Sequence, residues 1–371
     1  MELYIYDRDL ELKGVIDEID SLIWTRRYNE CGDFKLLVPF TSLNASLLIK
    51  NNIIMKKGDD EAGHIAYIKI KKDVKGLEVI EVQGRLLTFW LDTRILLNQI
   101  VMEDTTENII CKIVNDNAVN PIDVKRRLPF VVGEYEEMSG LISYTSELFL
   151  SVLAAIEDLA KAEKIGFKIV TDRLTKTHEL KIYKGVDRTS TQIENSPCIF
   201  SREFENIYEQ EYENSIESYK SLIYVGAEIV NGEDRQVVEV GEFSGLDRIE
   251  VFENASDVKQ TYKNEEEIEI TLTDEEYLAK LRERGFATLE EYAETLNFES
   301  KINPLGNLIY KQDFELGDLV TCVSKPWGIK IDVRITEITE SYNQKSNDID
   351  VTFGESLPSL MAQVNKKLKA R

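Results

Sequence analysis

The chain has 371 residues, 43% hydrophobic and 9% aromatic, which fits several folded domains and excludes an extended disordered polymer. Its 45 Lys and Arg stand against 68 Asp and Glu, a formal charge of −23, so general binding to nucleic-acid phosphates or anionic membrane is disfavoured. No apolar run reaches the roughly 18 residues of a membrane span, and the acidic start MELYIYDRDLELKG is unlike a secretory signal, so folding in a cytoplasm is expected.

From residue 1 to about 97 the pattern is β. Leu3 and Ile5 alternate with Tyr4 and Tyr6, residues 22–28 form a strand around Trp24, and Phe34, Leu36 and Val38 alternate before Pro39. Residues 42–49 fit a short helix. Residues 53–57, 63–72 and 77–82 are three further strands, separated by turns at Gly58-Asp59-Asp60-Glu61 and Val74-Lys75-Gly76 and ending at Gly84. These strands suffice for a closed or nearly closed sheet.

Residues 98–195 change to mixed α/β. Asp104 with Glu107 resembles a capping pair ahead of Ile109, Ile110, Ile113 and Val114, and Ser146 is placed to cap a longer helix through Phe149, Val152, Leu153, Ile156, Leu159 and Ala160, with Gly166 ending it. A hairpin over 167–170 and 180–183 follows.

Residues 196–355 return to strands, among them 222–225 and 237–240, interrupted by a helical insertion at about 256–297. Thr273 with Glu276 and Thr288 with Glu291 each place a threonine three residues before a glutamate, which predicts two helices with Gly285 between them. Residues 319–323, 331–335 and 349–353 then form three antiparallel strands, with a turn at Lys325-Pro326-Trp327-Gly328. Their order and lengths match those of 53–84. Identity between the two stretches is low, so they are either related β-modules or two unrelated meanders. Residues 356–371 suggest a short amphipathic helix whose basic end is Lys366, Lys367, Lys369 and Arg371.

Signals for chemistry are sparse. Phosphate loops, the G-x-S-x-G elbow, H-E-x-x-H and kinase signatures are absent. Cys31, Cys111, Cys198 and Cys322 form no C-x-x-C pair and read as reduced packing residues. His64 and His178 are the only histidines. Asp7, Asp9, Glu11 and Glu18 stand at positions 1, 3, 5 and 12 of a calcium-loop pattern, but Leu12 replaces the glycine its turn requires, so a charged strand face fits better. Asp59, Asp60 and Glu61, with His64 nearby, supply the two carboxylates a glycosidase needs, while an acidic turn in an acid-rich chain is the plainer account. No catalytic, cofactor-binding or metal-binding residue is therefore assigned. Glu203, Glu205, Glu209, Glu211, Glu213 and Glu217 interleave with Phe204, Tyr208 and Tyr212. That series is either a solvated sheet face or the lining of a channel that a polyanion traverses without sticking.

Four stretches resemble the bacteriophage tail hub, or tail-associated baseplate hub, proteins of phages and phage-like particles from Gram-positive hosts. They are SLIWTRRYNECGDFKLLVP at 21–39, QGRLLTFWLDTRI at 83–95, SREFENIYEQEYENSIESYKSLIYVG at 201–226 and LGDLVTCVSKPWGIKIDVRITEI at 316–338. The resemblance implies an α+β chain with two β-barrel-like tail-tube modules, 1–97 and 196–355, around an α/β middle domain at 98–195. It implies a homotrimer at the tail tip, whose six modules match a six-fold tube. Implied partners are the distal tail or tail tube protein, the tape measure protein, and a spike, fibre or tail lysin, with DNA only in passage. The chain stops at Arg371 without the long extension that bears lytic or receptor-binding regions in many relatives, so those activities are not expected of it. The alternatives are a hexameric distal tail ring and a tail-tip cell-wall hydrolase.

Overall fold

The computed structural model describes residues 1–354 apart from 73–75, 137, 229–234, 264–268, 291, 304 and 345. Val74 and Lys75 of the expected tight turn, and the helical tail expected at 356–371, lie outside the described residues. The first region contains β1 (Leu3–Tyr6), β2 (Leu12–Ile16), β3 (Ser21–Arg27), β4 (Asp33–Pro39), α1 (Ser42–Leu47), β5 (Ile53–Lys56), β6 (Ala62–Lys72) and β7 (Glu78–Leu86). Next come β8 (Val101–Thr105), α2 (Thr106–Val114), β9 (Phe130–Val132), β10 (Leu141–Thr145), α3 (Val152–Ala162), β11 (Gly166–Asp172) and β12 (Thr177–Tyr183). They lead into β13 (Asp187–Arg188), β14 (Ile199–Ser201) and β15 (Ile207–Ser215).

A second compact unit spans 212–297 and holds β16 (Leu222–Gly226), β17 (Val237–Val240), β18 (Glu250–Asn254), β19 (Thr261–Lys263), β20 (Glu269–Thr271) and α4 (Asp274–Glu290). The chain then returns to the first unit through β21 (Thr295–Ile302), β22 (Leu319–Ser324), β23 (Ile329–Asn343) and β24 (Asn347–Gly354). The protein is thus mostly β with some helices. The main strand path runs β15-β21-β24-β23-β3-β4-β7-β6-β5-β1-β2, and among the described residues no ladder joins its ends into a closed barrel.

Period-two burial explains the first region. Leu22 and Trp24 of β3, Phe34, Leu36 and Val38 of β4, and Ile80 and Val82 of β7 point into one core with Leu3, Ile5, Ile54 and Ile65. β5 is buried on both faces. Ile54 joins that core, whereas Ile53 and Met55 join a second core with Ile109, Ile113, Val152, Ile156, Phe167 and Leu180. The middle segment therefore packs on the back of the first sheet.

Its helices start where local hydrogen bonds dictate, and two of the expected caps differ. Ser151, not Ser146, caps α3, its Oγ accepting from Ala154 N at 3.0 Å. Ser146 Oγ instead accepts from Ile100 N at 2.8 Å, and Phe149 is an exposed loop residue at φ 63°. Glu107 does not box with Asp104. Its buried carboxylate accepts from Met138 N at 3.1 Å and Ser139 Oγ at 2.6 Å.

In the second unit, Thr273 and Glu276 do form a capping box, Glu276 Oε2 accepting from Thr273 N at 2.8 Å and Thr273 Oγ1 accepting from Glu276 N at 3.3 Å. The two helices expected there are one, α4. Gly285 is not a terminator: a Cβ at that position would lie 2.7 Å from Val240 Cγ2 and 2.9 Å from Val225 Cγ2, so glycine permits close approach of helix to sheet. Thr288 Oγ1 donates to Arg284 O at 2.9 Å instead of capping a second helix. The strands at Leu222–Gly226 and Val237–Val240 share a core with this helix, so the compact unit starts well before residue 256.

Candidate functional site

β3 and β23 run antiparallel with Trp24 opposite Glu340 and Arg26 opposite Ile338. Alternation from the core residues Leu22 and Trp24 carries Arg26 onto the buried face, where it is 3% exposed. Its Nε donates to Glu61 Oε1 at 2.8 Å, and its two terminal nitrogens reach Asp59 and Glu340. Lys56, delivered by the same parity that buries Ile54, lies 2.6 Å from Glu340 Oε2, 3.2 Å from Asp59 Oδ2 and 5.3 Å from the Trp24 ring centroid. Tyr342 OH donates to Glu340. At the edge, Lys311 Nζ reaches Asp59 Oδ1 at 3.4 Å.

Two buried cations thus face three buried carboxylates. Burial works against the charge on Asp59, but Arg26, Lys56 and Lys311 more than offset it and hold that carboxyl well below its usual range. Glu340 is likewise held low by Lys56 and Arg26 against the effect of burial. Glu61 moves the other way: burial, with Asp59 and Asp60 nearby, outweighs its share of Arg26 and raises it. A third carboxylate around one guanidinium is the one that favours its proton.

The carboxylates singled out for glycosidase chemistry are therefore each engaged with a cation, since Asp60 also pairs with Lys168 at 3.1 Å. They border a cleft of about 780 Å³ whose lining includes Lys168, Tyr183, Tyr310, Lys311 and Glu315. His64 is not with them. Its Nδ1 accepts from Trp90 Nε1 at 3.2 Å, and His178 packs edge-on to the same indole at 5.3 Å, with Phe130 stacked on it at 5.5 Å. Burial lowers His64 and takes His178 down to about 4.

Of the calcium-pattern residues, Asp7, Asp9 and Glu11 form a turn ahead of β2, while Glu18 lies beyond that strand. Asp7 Oδ1 accepts from Asp9 N and Glu11 N at 3.0 and 2.9 Å, and Asp7 Oδ2 pairs with Lys13 at 2.6 Å. The four cysteines are buried and free.

The acidic series divides. Glu203 lies in a short 3-10 turn, Arg202–Phe204, with Ser201 Oγ donating to it, and Glu205 ends that turn at φ 55°. Glu209, Glu211 and Glu213 alternate along β15, the first two exposed and Glu213 half-buried. Asp350 of β24 is raised by burial and by Asp348, Glu209 and Glu299, against the pull of Lys301. Residues from three strands thus contribute to one acidic sheet face, with Lys301 bridging to Asp348 at 3.3 Å.

The buried cluster is what the sequence pattern did not disclose. Its signal was parity: Arg26 and Lys56 stand two residues beyond Trp24 and Ile54, on the face a strand buries. Tyr28, two residues further on, fills a slot that only glycines leave open, since a Cβ at Gly166 or Gly317 would lie 2.3 Å from its ring. Its OH donates to Lys164 O at 3.1 Å.

The backbone is similar to the tail protein from Neisseria meningitidis MC58, with TM-score 0.60, 13% identity, and 95% of this chain and 96% of that chain covered. It is similar to the prophage MuSo2 43 kDa tail protein from Shewanella oneidensis, with TM-score 0.57, 14% identity, and 95% and 98% covered. A third likeness is to the prophage tail protein gp18 from Listeria monocytogenes EGD-e, with TM-score 0.56, 12% identity, and 100% and 99% covered. At these identities the likeness is one of fold. No curated protein matches the sequence. Residues 2–355 match the family described as Siphovirus ReqiPepy6 Gp37-like protein, and the chain belongs to that family of phage tail-associated proteins.

Proposed function

We propose that the chain is the structural hub of a phage tail tip, a homotrimer that adapts a six-fold tail tube to a three-fold tip. One observation carries this: β5-β6-β7 and β22-β23-β24 are antiparallel meanders of the same layout, each with a long middle strand that shifts register, between Ile65 and Tyr67 in one and between Ile335 and Glu337 in the other. Two such modules per chain, in 1–97 and 196–355 around a middle domain at 98–195, give six in a trimer. A hexameric ring needs only one module per chain.

On this reading the acidic face that includes Glu209 and Glu211 lines the channel, with Glu203, Glu205 and Glu213 beside it, and fixed negative charge keeps passing DNA off the wall. The distal tail or tube protein and the tape measure bind on one side, and a spike, fibre or lysin on the other. The chain itself is not an enzyme, a reading supported by the pairing of Asp59, Asp60 and Glu61 with cations.

Native mass spectrometry of the purified protein, followed by imaging with its distal tube protein, tests this. A trimer with β15 facing the axis is the expected result. A hexamer overturns it in favour of the ring, and peptidoglycan turnover abolished by Glu61→Gln overturns it in favour of a hydrolase.

A further inference from the structure

Residues 94–97 run beside 149–152, Leu96 N donating to Leu150 O and Phe149 N to Leu96 O, both at 2.9 Å. This ladder exposes Ile95, Leu97, Leu148 and Phe149 together, the last at 67%. Arg94 Nε donates to Arg126 O at 2.5 Å and the Arg126 guanidinium donates to Ile95 O, which seats the turn at 122–127, with its exposed Val124, against the same face. Among the described residues no carboxylate pairs with Lys125, Arg126 or Arg127. Phe149 is held at φ 63°, a conformation costing a bulky residue about 1–3 kcal/mol. An exposed aromatic maintained at that cost, amid apolar neighbours and unneutralised cations, has the make-up of an interface.

The chain also carries a matching surface. Residues 212–297 contain 22 Asp and Glu against 8 Lys and Arg. Within them the loop at 241–248, turned by Gly245 at φ 63°, displays Phe243 and a fully exposed Leu246 between the exposed Glu242 and Asp247.

We propose that the apolar, basic face around Phe149 docks on the acidic 241–248 loop of a second copy of this chain. Two different patches meet in such a contact, so it is heterologous, and a three-fold rotation between copies closes it into a ring. The partner is a second copy because the complementary charge and apolar tip are both present on the same polypeptide. The proposal rests on the trimer reading above.

The test is sedimentation of the full chain, wild type and variants, across micromolar concentrations. Phe149→Gly removes the ring and relieves the backbone, so it keeps the fold, confirmed by circular dichroism. The expected result is a trimer for wild type, with association weakened about 10- to 100-fold in Phe149→Gly and in Arg126→Glu/Arg127→Glu. Adding Glu242→Lys/Asp247→Lys to the arginine variant restores it. A wild-type trimer that both variants leave unchanged overturns this interface and leaves the hub reading standing, whereas a monomeric wild type at every concentration overturns both. Binding of wild type, but not Phe149→Gly, to phosphatidylglycerol vesicles without self-association assigns the patch to a membrane surface and overturns the proposal.

Discussion

The two meanders share a layout and differ in what they place inside. In the first, the short strand β5 is buried on both faces and carries Lys56 inward, and Gly84 sits opposite Ile65 at the register shift. In the second, Phe353 sits opposite Ile335 at the corresponding shift, and the long strand carries Glu340 inward. Gly84 is small because the Phe34 ring occupies its space, a Cβ there lying 2.6 Å from Phe34 Cε1 and 1.9 Å from His64 O, whereas Phe353 fills the matching space with its own ring, 4.8 Å from that of Phe200. The backbone plan is repeated while the buried charges differ: β5 and the turn after it bring Lys56, Asp59 and Glu61 inward, and β23 brings Glu340. Arg26 of β3, which pairs with β23, is the complementary charge that joins Asp59 and Glu61 of the first meander to Glu340 of the second.

The largest effect should come from removing the cation at the centre of that complementarity. Arg26→Met takes from Glu61 its paired cation and leaves Asp59 and Glu340 to Lys56, with Lys311 at the edge, and the expected loss is about 3–5 kcal/mol, measured as a lower urea midpoint. A change below about 1 kcal/mol, the range of surface pairs, would mean that the cluster is solvated and does not couple the two meanders.

Acid should act on the first meander, because both histidines pack against Trp90, behind it. His178 has a folded value of about 4 against an ordinary 6.5, so the unfolded chain binds more protons between those limits. Its contribution is present above pH 6.5 and is lost as pH falls towards about 4, about 3 kcal/mol in all at about 1.4 per unit. His64 shifts in the same direction. Urea unfolding at stepped pH, read by Trp90 fluorescence in a chain with Trp24 and Trp327 replaced by Phe, checks this. A flat profile from pH 7 to 5 would sink it.

Gly84→Ala should cost about 1–3 kcal/mol by overpacking against Phe34 and the His64 carbonyl. The paired substitution Phe34→Leu/Gly84→Ala should recover part of it, and failure of the pair to do better than Gly84→Ala alone would break the account of why the two meanders differ there. Smallest is the outer face. Lys301→Met should change stability by only about 0–1 kcal/mol, while raising the apparent pKa of Asp350 further in a carboxyl NMR titration. An unchanged Asp350 would separate it from the acidic face.

Particular residues show where pattern reading succeeded. The strands around Trp24 and at 329–353 were legible because burial alternates along them and that alternation survives in the sequence, and those at 53–56 and 62–72 as runs bounded by turn residues. The Thr273 and Glu276 cap was legible because its partners are three residues apart. Thr288 carries the same local signature and makes no cap, because α4 packs on Val225 and Val240 through Gly285 and gains more by continuing. Ser146 failed as a cap because Ile100, distant in sequence, claims its hydroxyl. Among the site residues, the exposed acids of β15 were legible, whereas the cluster at Arg26 was not.

By itself the sequence determined the strands of the first region and the last three strands, the acidic character and the phage tail resemblance, since these follow from periodicity, composition and short motifs that each residue expresses locally. Tertiary structure alone decided that β3 pairs with β23 across more than 300 residues of chain, and hence that Arg26, Lys56, Asp59, Glu61 and Glu340 meet. A buried ion pair leaves no periodic trace. Each partner is an ordinary charge in its own strand, and its burial depends on which distant strand lies beside it.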